Sequence, residues 1–240
     1  MKLQTPLILA LSLVCVTACK KKDVDYVAEA QDCLDKTDSS GALECMQKVE
    51  GIETESAYLI RCSANFIYQE FMDPVRLSNI AEQMKASNSS PLAAIGLLAF
   101  SKPVGNNPTA ATARTNLSTA TMDYCTKAKS KGMLLLSSMA QIATVASSAL
   151  PDTEELINAC DPNSPGYDAN DCKDKAKEAI CEASPAVIGE AALAAYQQSC
   201  LGSSQQNSSV CEQFAAITNG TTDPTTIGTN LQTQDGPCPP

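Results

Sequence analysis

The sequence predicts an all-α protein, either a disulfide-stapled helical bundle or a short α-solenoid of antiparallel helix hairpins. The apolar residues are mainly Ala, Leu, Ile and Met, with no Trp and only four Phe, a composition that favours closely packed helices over a sheet. Prolines and glycines recur at intervals of helix length, and no alternating strand pattern is found. The many cysteines add covalent links between such helices.

Helix starts are indicated where a capping side chain precedes a proline, as in Asn107-Pro108 and Ser184-Pro185, because proline's missing N–H is harmless in the first turn. Gly51 and Gly132 stand where helices are expected to stop. Together with the apolar spacing, these signals predict helices near residues 24–36, 41–50, 54–71, 74–86, 91–100, 109–130, 133–149, 152–160, 169–183, 185–201 and 208–218.

The uncharged segment 133–150 resembles a membrane span in composition, but its polar residues are regularly spaced. Four of them fall on one stripe of a helix: Ser137, Gln141, Thr144 and Ser148. The opposite face is apolar, so we expect an amphipathic helix that faces the core.

Residues 1–18 have the pattern of an export signal. Lys2 supplies a positive start, and the apolar run 7–16 is too short to span a membrane. The four residues 16–19, Val-Thr-Ala-Cys, resemble the lipobox of bacterial lipoproteins. The resemblance implies cleavage before Cys19, whose sulfur would carry a diacylglycerol and whose amine would be acylated, while Cys15 would be discarded with the signal.

Other targeting interpretations remain open. An ordinary secretory signal could be cut after Ala18. Four Asn-Xaa-Ser/Thr triplets keep a eukaryotic secreted protein as the minor alternative: Asn88, Asn116, Asn207 and Asn219.

Three lysines, Lys20–Lys22, follow the predicted lipid and would each add on the order of 1 kcal/mol of attraction to anionic headgroups. In the lipoprotein family an aspartate after the cysteine signals retention in the inner membrane. Lys20 occupies that position, so the resemblance favours a lipid anchor in the outer membrane, with the domain in the periplasm. The tether to Asp23 spans at most about 15 Å, which holds the domain near the membrane surface.

The predicted organisation is a signal peptide (1–18), a lipidated tether (19–23), a helical domain (24–218) that a boundary near residue 150 could divide, and a C-terminal tail (219–240). The tail is rich in Thr, Gly and Pro and is expected to be irregular. No exact internal repeat is found. The succession of helix pairs is similar in general style to tetratricopeptide-like solenoids, without their specific residue pattern.

Removing Cys15 and lipidating Cys19 leaves ten of the twelve cysteines, an even number in an exported chain, which predicts five disulfides. A zinc site is disfavoured because the chain has no His and no Cys-Xaa-Xaa-Cys pair. The ten are Cys33, Cys45, Cys62, Cys125, Cys160, Cys172, Cys181, Cys200, Cys211 and Cys238.

Pairing follows from the expected hairpins. Two cysteines equally far from a turn can join antiparallel neighbouring helices if their Cα atoms come within about 7 Å. This predicts three pairs that straddle short turns: Cys33–Cys45, Cys160–Cys172 and Cys200–Cys211. By elimination, a long-range core pair and a pair that fixes the tail remain: Cys62–Cys125 and Cys181–Cys238.

The segment 161–172, DPNSPGYDANDC, is the best candidate for a metal site. Its oxygen-bearing side chains faintly suggest a calcium loop, but Pro165 and Cys172 stand where an EF-hand needs an oxygen ligand and a Glu. A turn whose polar residues cap helices is the favoured interpretation, and no metal is expected. The weak calcium candidates are Asp161, Asn163, Asp168, Asn170 and Asp171.

Composition also limits function. Without His, the Ser-His and Cys-His catalytic pairs cannot form, and the net charge of −10 argues against a nucleic-acid partner. The leading hypothesis is a lipid-anchored, non-enzymatic helical scaffold or adaptor for another envelope protein, with no cofactor. The alternatives are a small-molecule-binding accessory module of a transport system and an enzyme that uses paired carboxylates.

Overall fold

The computed structural model describes residues 22–72, 78, 97–105, 107–149, 153–160, 164–201, 209–234 and 236–238. Over these ranges all regular structure is helical and no strand occurs, which confirms the all-α prediction. The ten α-helices of the described chain are α1 Asp23–Leu34, α2 Ala42–Gln47, α3 Glu55–Tyr68, α4 Pro108–Lys127, α5 Lys131–Ala149, α6 Thr153–Cys160, α7 Ala169–Glu182, α8 Pro185–Ala195, α9 Ser209–Thr218 and α10 Pro224–Thr233. A π-helical turn, Tyr196–Cys200, continues α8. The helices expected near 74–86 and 91–100 lie outside the described residues, apart from residues 78 and 97–100.

Two side chains at expected helix starts act as caps, whereas the expected cap Ser184 makes no side-chain cap hydrogen bond before α8. Thr54 Oγ1 accepts a hydrogen bond from the amide of Ala57 at 3.2 Å, and Asn107 Oδ1 accepts one from Ala110 at 2.9 Å. One expected stop is wrong, because Gly132 lies inside α5. The chain reverses instead at Lys129, whose φ of 54° is in the left-handed region. Glycine is most common in this conformation, but other residues also adopt it at helix ends.

The core consists of two apolar clusters that meet at α3. The smaller lies within the α1–α2–α3 hairpins and includes Leu34, Val49 and Ile60. The larger surrounds α5 and runs from Cys62 to Leu231, so the apolar core provides no boundary near residue 150. Helix α3 contributes to both clusters and therefore holds the N-terminal hairpins against the rest of the molecule.

Helix α5 is long and apolar enough to cross a membrane by length and composition, but 56% of its apolar window is buried inside the protein. It packs against α4, α6, α7 and α8 as the central core helix. The expected polar stripe is not a solvent face, because Ser137 and Thr144 are buried. Their hydroxyls donate to the carbonyls of Leu134 and Ala140, one turn earlier in the helix, so burial leaves no donor unsatisfied.

The expectation of an irregular tail is wrong for residues 224–233, which form α10. Asp223 caps this helix by accepting a hydrogen bond from the amide of Thr226 at 2.8 Å. Hydrogen bonds from the Thr226 hydroxyl, the larger cause, and from this amide hold the pKa of the Asp223 carboxyl below its ordinary value. Ile227 and Leu231 are buried in the main core. Gln232 Nε2 donates to carbonyls at the end of α7, 2.9 Å from that of Ala183. Tertiary contacts thus stabilise a helix whose Thr-rich sequence has low intrinsic propensity.

Helices α8 and α10 share the pattern Pro-Xaa-Xaa-Ile-Gly and cross antiparallel at their glycines. A Cβ added to Gly189 would lie 1.8 Å from the carbonyl oxygen of Pro224, and one added to Gly228 would lie 1.8 Å from that of Pro185. Each glycine Cα therefore lies within about 3.3 Å of the facing oxygen, the range of a Cα–H···O contact. The crossing leaves no space for a side chain at either glycine.

A buried arginine fixes α3 to its surroundings. Arg61 is 8% exposed, and its Nη2 donates to the carbonyls of Val49 and Ile52, which precede α3. Its guanidinium lies 5.0 Å from the ring centre of Tyr58 and 5.7 Å from that of Tyr124 on α4. A planar cation that stacks on rings and donates in its own plane satisfies both sets of contacts.

Replacing Arg61 with Lys is expected to lower the free energy of unfolding by about 2 kcal/mol. The ammonium cannot stack on both rings while donating to two carbonyls, so a buried charge loses much of its compensation. Urea unfolding followed by circular dichroism measures the loss. The control is Lys36→Ala, which removes an exposed pair with Asp32 and is expected to change stability by less than about 0.5 kcal/mol. Equal losses in the two variants would contradict this account of Arg61.

Candidate functional site

All ten cysteines expected to remain after signal removal are paired in disulfides. Their Cα–Cα distances run from 4.7 to 5.6 Å, within the range of native bridges. The pairs coincide with those predicted from spacing and elimination: Cys33–Cys45, Cys62–Cys125, Cys160–Cys172, Cys181–Cys238 and Cys200–Cys211. None of these ten is therefore a thiol available for catalysis or metal binding.

The predicted lipidation site, Cys19, lies outside the described residues. The described chain enters α1 directly after Lys22, whose amide donates to Asp25 Oδ2 at 3.0 Å. The first helix therefore begins four residues after the cysteine that the lipobox resemblance identifies.

The Asp-rich turn serves mainly to start α7. Asp168 caps that helix by accepting from the amide of Asn170 at 2.7 Å. Asp171 lines a shallow polar cleft of about 480 Å³ with Glu155 and Asn158. Two of the weak calcium candidates, Asp161 and Asn163, lie outside the described residues.

Among the described residues, no group of three His, Cys, Asp or Glu side chains converges at the polar cleft. Lys175 Nζ lies 2.8 Å from Glu155, so one carboxylate of the cleft is already paired with a cation. The carboxylates of Glu155 and Glu178 accept hydrogen bonds from this ammonium and raise the pKa of Lys175 above its ordinary value.

A larger opening, here called the α1–α3 groove, lies between the first and third helices and has a volume of about 700 Å³. Helix α3 presents one face to it through residues 63, 66 and 67, a spacing that covers about one helical turn, and Glu70 lines it from the turn after the helix. The lining residues of the groove are Gln31, Leu34, Asp35, Thr37, Asp38, Ser39, Ser63, Phe66, Ile67, Glu70, Met72 and Met133.

The floor of the groove is apolar and firmly held. Phe66 is 4% exposed, and its ring lies 5.2 Å from that of Phe71 and 5.9 Å from that of Phe100, both in edge-to-face contact. Met72, in contrast, is 66% exposed at the mouth. The groove thus combines a rigid base with a flexible apolar side chain that is available for contact.

The mouth is shaped by the end of α3. Glu70 has φ 63°, and the amide of Phe71 donates to the carbonyl of Phe66 at 3.0 Å, the bond pattern that usually ends a helix at glycine. Lys102 Nζ lies 2.7 Å from the Glu70 carboxylate, and Ser39 Oγ donates to it at 3.2 Å. The turn therefore directs Phe71 into the core and carries Met72 to the groove edge.

The rim of the groove is acidic. Its charged lining residues are Asp35, Asp38 and Glu70, with no lysine or arginine among them. The hydroxyl and amide of Ser40 and the amide of Gly41 donate to Asp38 and hold the pKa of its carboxyl below the ordinary value. Asp35 accepts a hydrogen bond from Gln31 Nε2 at 2.7 Å. Among the residues that the structure describes, Glu70 is the rim carboxylate that forms an ion pair, with Lys102.

The α1–α3 groove was not predicted from the sequence. Its sequence signal is the mixed face of α3, where the apolar Phe66 and Ile67 lie one turn after the polar Ser63. That pattern fits a helix packed on one side, and it does not reveal that α1 leaves part of this face open.

Comparison of the chain with protein-family models, with curated proteins and with solved structures finds no match.

Proposed function

We propose that the protein is a lipid-anchored lipoprotein of the bacterial envelope that acts as a non-enzymatic helical scaffold or adaptor for another envelope protein. The observation that carries the proposal is the α1–α3 groove, an open apolar channel with an acidic rim on the helix nearest the predicted anchor. Helix faces and grooves of this kind commonly take a segment of a partner protein.

The groove would lie close to the membrane. Gln31 is eight residues after Asp23, about 12 Å along α1, and the tether adds at most about 15 Å. A partner in the same membrane or in the adjacent periplasm could therefore reach it. Lys20 after the lipobox cysteine favours the outer membrane in this proposal.

The non-enzymatic part of the proposal rests on composition and thiol chemistry. The chain contains no histidine, and its ten core-domain cysteines are in disulfides. Five disulfides also fit an exported protein, since such bonds persist in oxidising compartments.

A small-molecule-binding module of a transport system is the second candidate, because the groove volume of about 700 Å³ is within the range of small-molecule sites. Native mass spectrometry of protein purified from its own cells separates the two candidates. A bound small molecule that is lost in Met72→Asp would favour transport, whereas a co-purifying envelope protein lost in the same variant would favour the adaptor.

The anchor is tested at its two N-terminal cysteines. Cys19→Ser is expected to abolish acylation and release the protein from the membrane fraction, because the thioether cannot form. Cys15→Ser is the matched control and is expected to leave both unchanged, since that residue would be removed with the signal. Mass spectrometry of the mature N-terminus provides the measurement. An unmodified Cys19, or a different first residue, would refute the lipoprotein assignment.

A further inference from the structure

We propose that the α1–α3 groove binds a cationic amphipathic segment of the partner protein, with large apolar side chains in the groove and Lys or Arg against its rim. This inference rests on the adaptor function proposed above and specifies the chemistry of the partner at that site. Three observations support it: the length of the apolar floor, the acidic charge of the rim, and the short reach of the protein's own lysine tether.

The apolar floor of the groove determines how many large apolar side chains a partner segment would place in it. The α3 face from Ser63 to Ile67 is about 6 Å long, because four residues rise 1.5 Å each, and Glu70 in the turn after α3 extends the groove beyond the helix. Phe66 and Ile67 form its middle, and Leu34 and Met133 close its sides. A partner helix would place two large apolar side chains, one turn apart, along such a length.

The acidic rim of the groove determines the charge expected of the partner segment. Asp35 and Asp38 lie on the α1 side of the groove, and Glu70 lies on the α3 side beside Lys102. Within the described part of the chain, the lining carboxylates therefore outnumber the cations paired with them, in a protein whose overall charge is −10. A cationic segment complements this potential, whereas an acidic segment or an anionic lipid headgroup would be repelled.

The protein's own lysine tether is short relative to the groove. Residues 19–22 span at most about 14 Å, and α1 carries the groove away from them, so that Asp35 lies about 18 Å from Asp23 along the helix axis. The tether would reach only the near end of the groove, at Gln31.

The test introduces a photo-activated cross-linking amino acid at Met72, in the full-length protein in its own cells. The control is the same substitution at Val104, an apolar side chain that is 75% exposed and does not line the groove. Sequencing of the cross-linked peptide is expected to show an envelope protein segment with at least two large apolar residues at helical spacing and flanking Lys or Arg. Cross-linking at Val104 is expected to be at least fivefold weaker.

Charge variants test the rim. Asp35→Lys is expected to lower the cross-link yield from position 72 at least fivefold, because it reverses a charge at the site of contact. Asp174→Lys makes the same charge change on α7, away from the groove, and is expected to leave the yield within twofold. Urea unfolding of both variants checks that the fold is retained, since both positions are exposed.

Each alternative result overturns the inference in a recognisable way. Cross-links from position 72 to residues 73–96 of the same chain, to a second copy, to a small molecule or to an acidic segment would each assign a different occupant. Equal yields in Asp35→Lys and Asp174→Lys would remove the role of charge. A partner captured from Val104 but not from position 72 would refute the groove while the adaptor function stands. Absence of any protein partner at both positions would refute the adaptor function as well.

Discussion

Substituting either crossing glycine, as Gly189→Ala or Gly228→Ala, is expected to lower the free energy of unfolding by at least about 3 kcal/mol. The added methyl would lie 1.8 Å from a backbone carbonyl oxygen of the opposing helix, that of Pro224 or of Pro185. A backbone atom in a packed helix cannot move aside as a flexible side chain can, so α8 and α10 must separate. Ile188 and Ile227, both fully buried, would lose contacts as the helices move apart.

The measurement is urea unfolding of each variant, with Gly132→Ala as the matched control. Gly132 lies in α5 with no atom within 4 Å of an added Cβ, so alanine there is expected to stabilise the helix by about 0.5–1 kcal/mol. The double variant Gly189→Ala/Gly228→Ala is expected to lose less than the sum of the single losses, because one methyl already forces the separation that the other needs. Losses below about 1 kcal/mol, or simple additivity, would contradict the close crossing.

Removing the core disulfide, as Cys62→Ala/Cys125→Ala, is expected to lower the free energy of unfolding by about 4 kcal/mol. The bridge links positions 63 residues apart, and in the chain-entropy model a longer loop in the unfolded chain gives a larger stabilisation. Both cysteines are fully buried between α3 and α4, and alanine avoids placing a polar hydroxyl there. The small cavity left by two sulfur atoms adds to the loss.

The comparison variant is Cys33→Ala/Cys45→Ala, which opens a bridge between positions only 12 residues apart and is expected to lose about 3 kcal/mol. Urea unfolding under non-reducing conditions measures both variants, with the remaining disulfides verified by peptide mapping. A larger loss in the Cys33/Cys45 variant than in the Cys62/Cys125 variant would show that the long-range bridge does not act through loop closure.

Several features of this fold could be predicted because they depend on residues close together in the chain. A cap such as Asn107 satisfies an amide three residues later, so its effect is visible in the sequence itself. The hairpin disulfides follow the same logic, since Cys160 and Cys172 are equally distant from one turn. The two long-range pairs then followed by elimination and needed no knowledge of how α3 meets α4.

The α8–α10 pair shows where local inference fails. The Thr-rich sequence after Asp223 has weak helix propensity, and α10 forms because its buried side chains and Gln232 find partners on α7 and α8. The shared Pro-Xaa-Xaa-Ile-Gly pattern is visible in the sequence, but its meaning as a crossing point depends on a helix 39 positions away.

The sequence alone therefore determined the helical class, most helix starts and the cysteines available for bridging, because hydrogen bonds within a few residues and an even cysteine count specify them. Tertiary structure alone decided that Ser137 and Thr144 are buried, that the chain turns after α3 with Glu70 in a left-handed conformation, and that the α1–α3 groove stays open. Those outcomes depend on which neighbour covers each helix face. The free energy of that packing is shared among residues far apart in the chain, so no short segment encodes it.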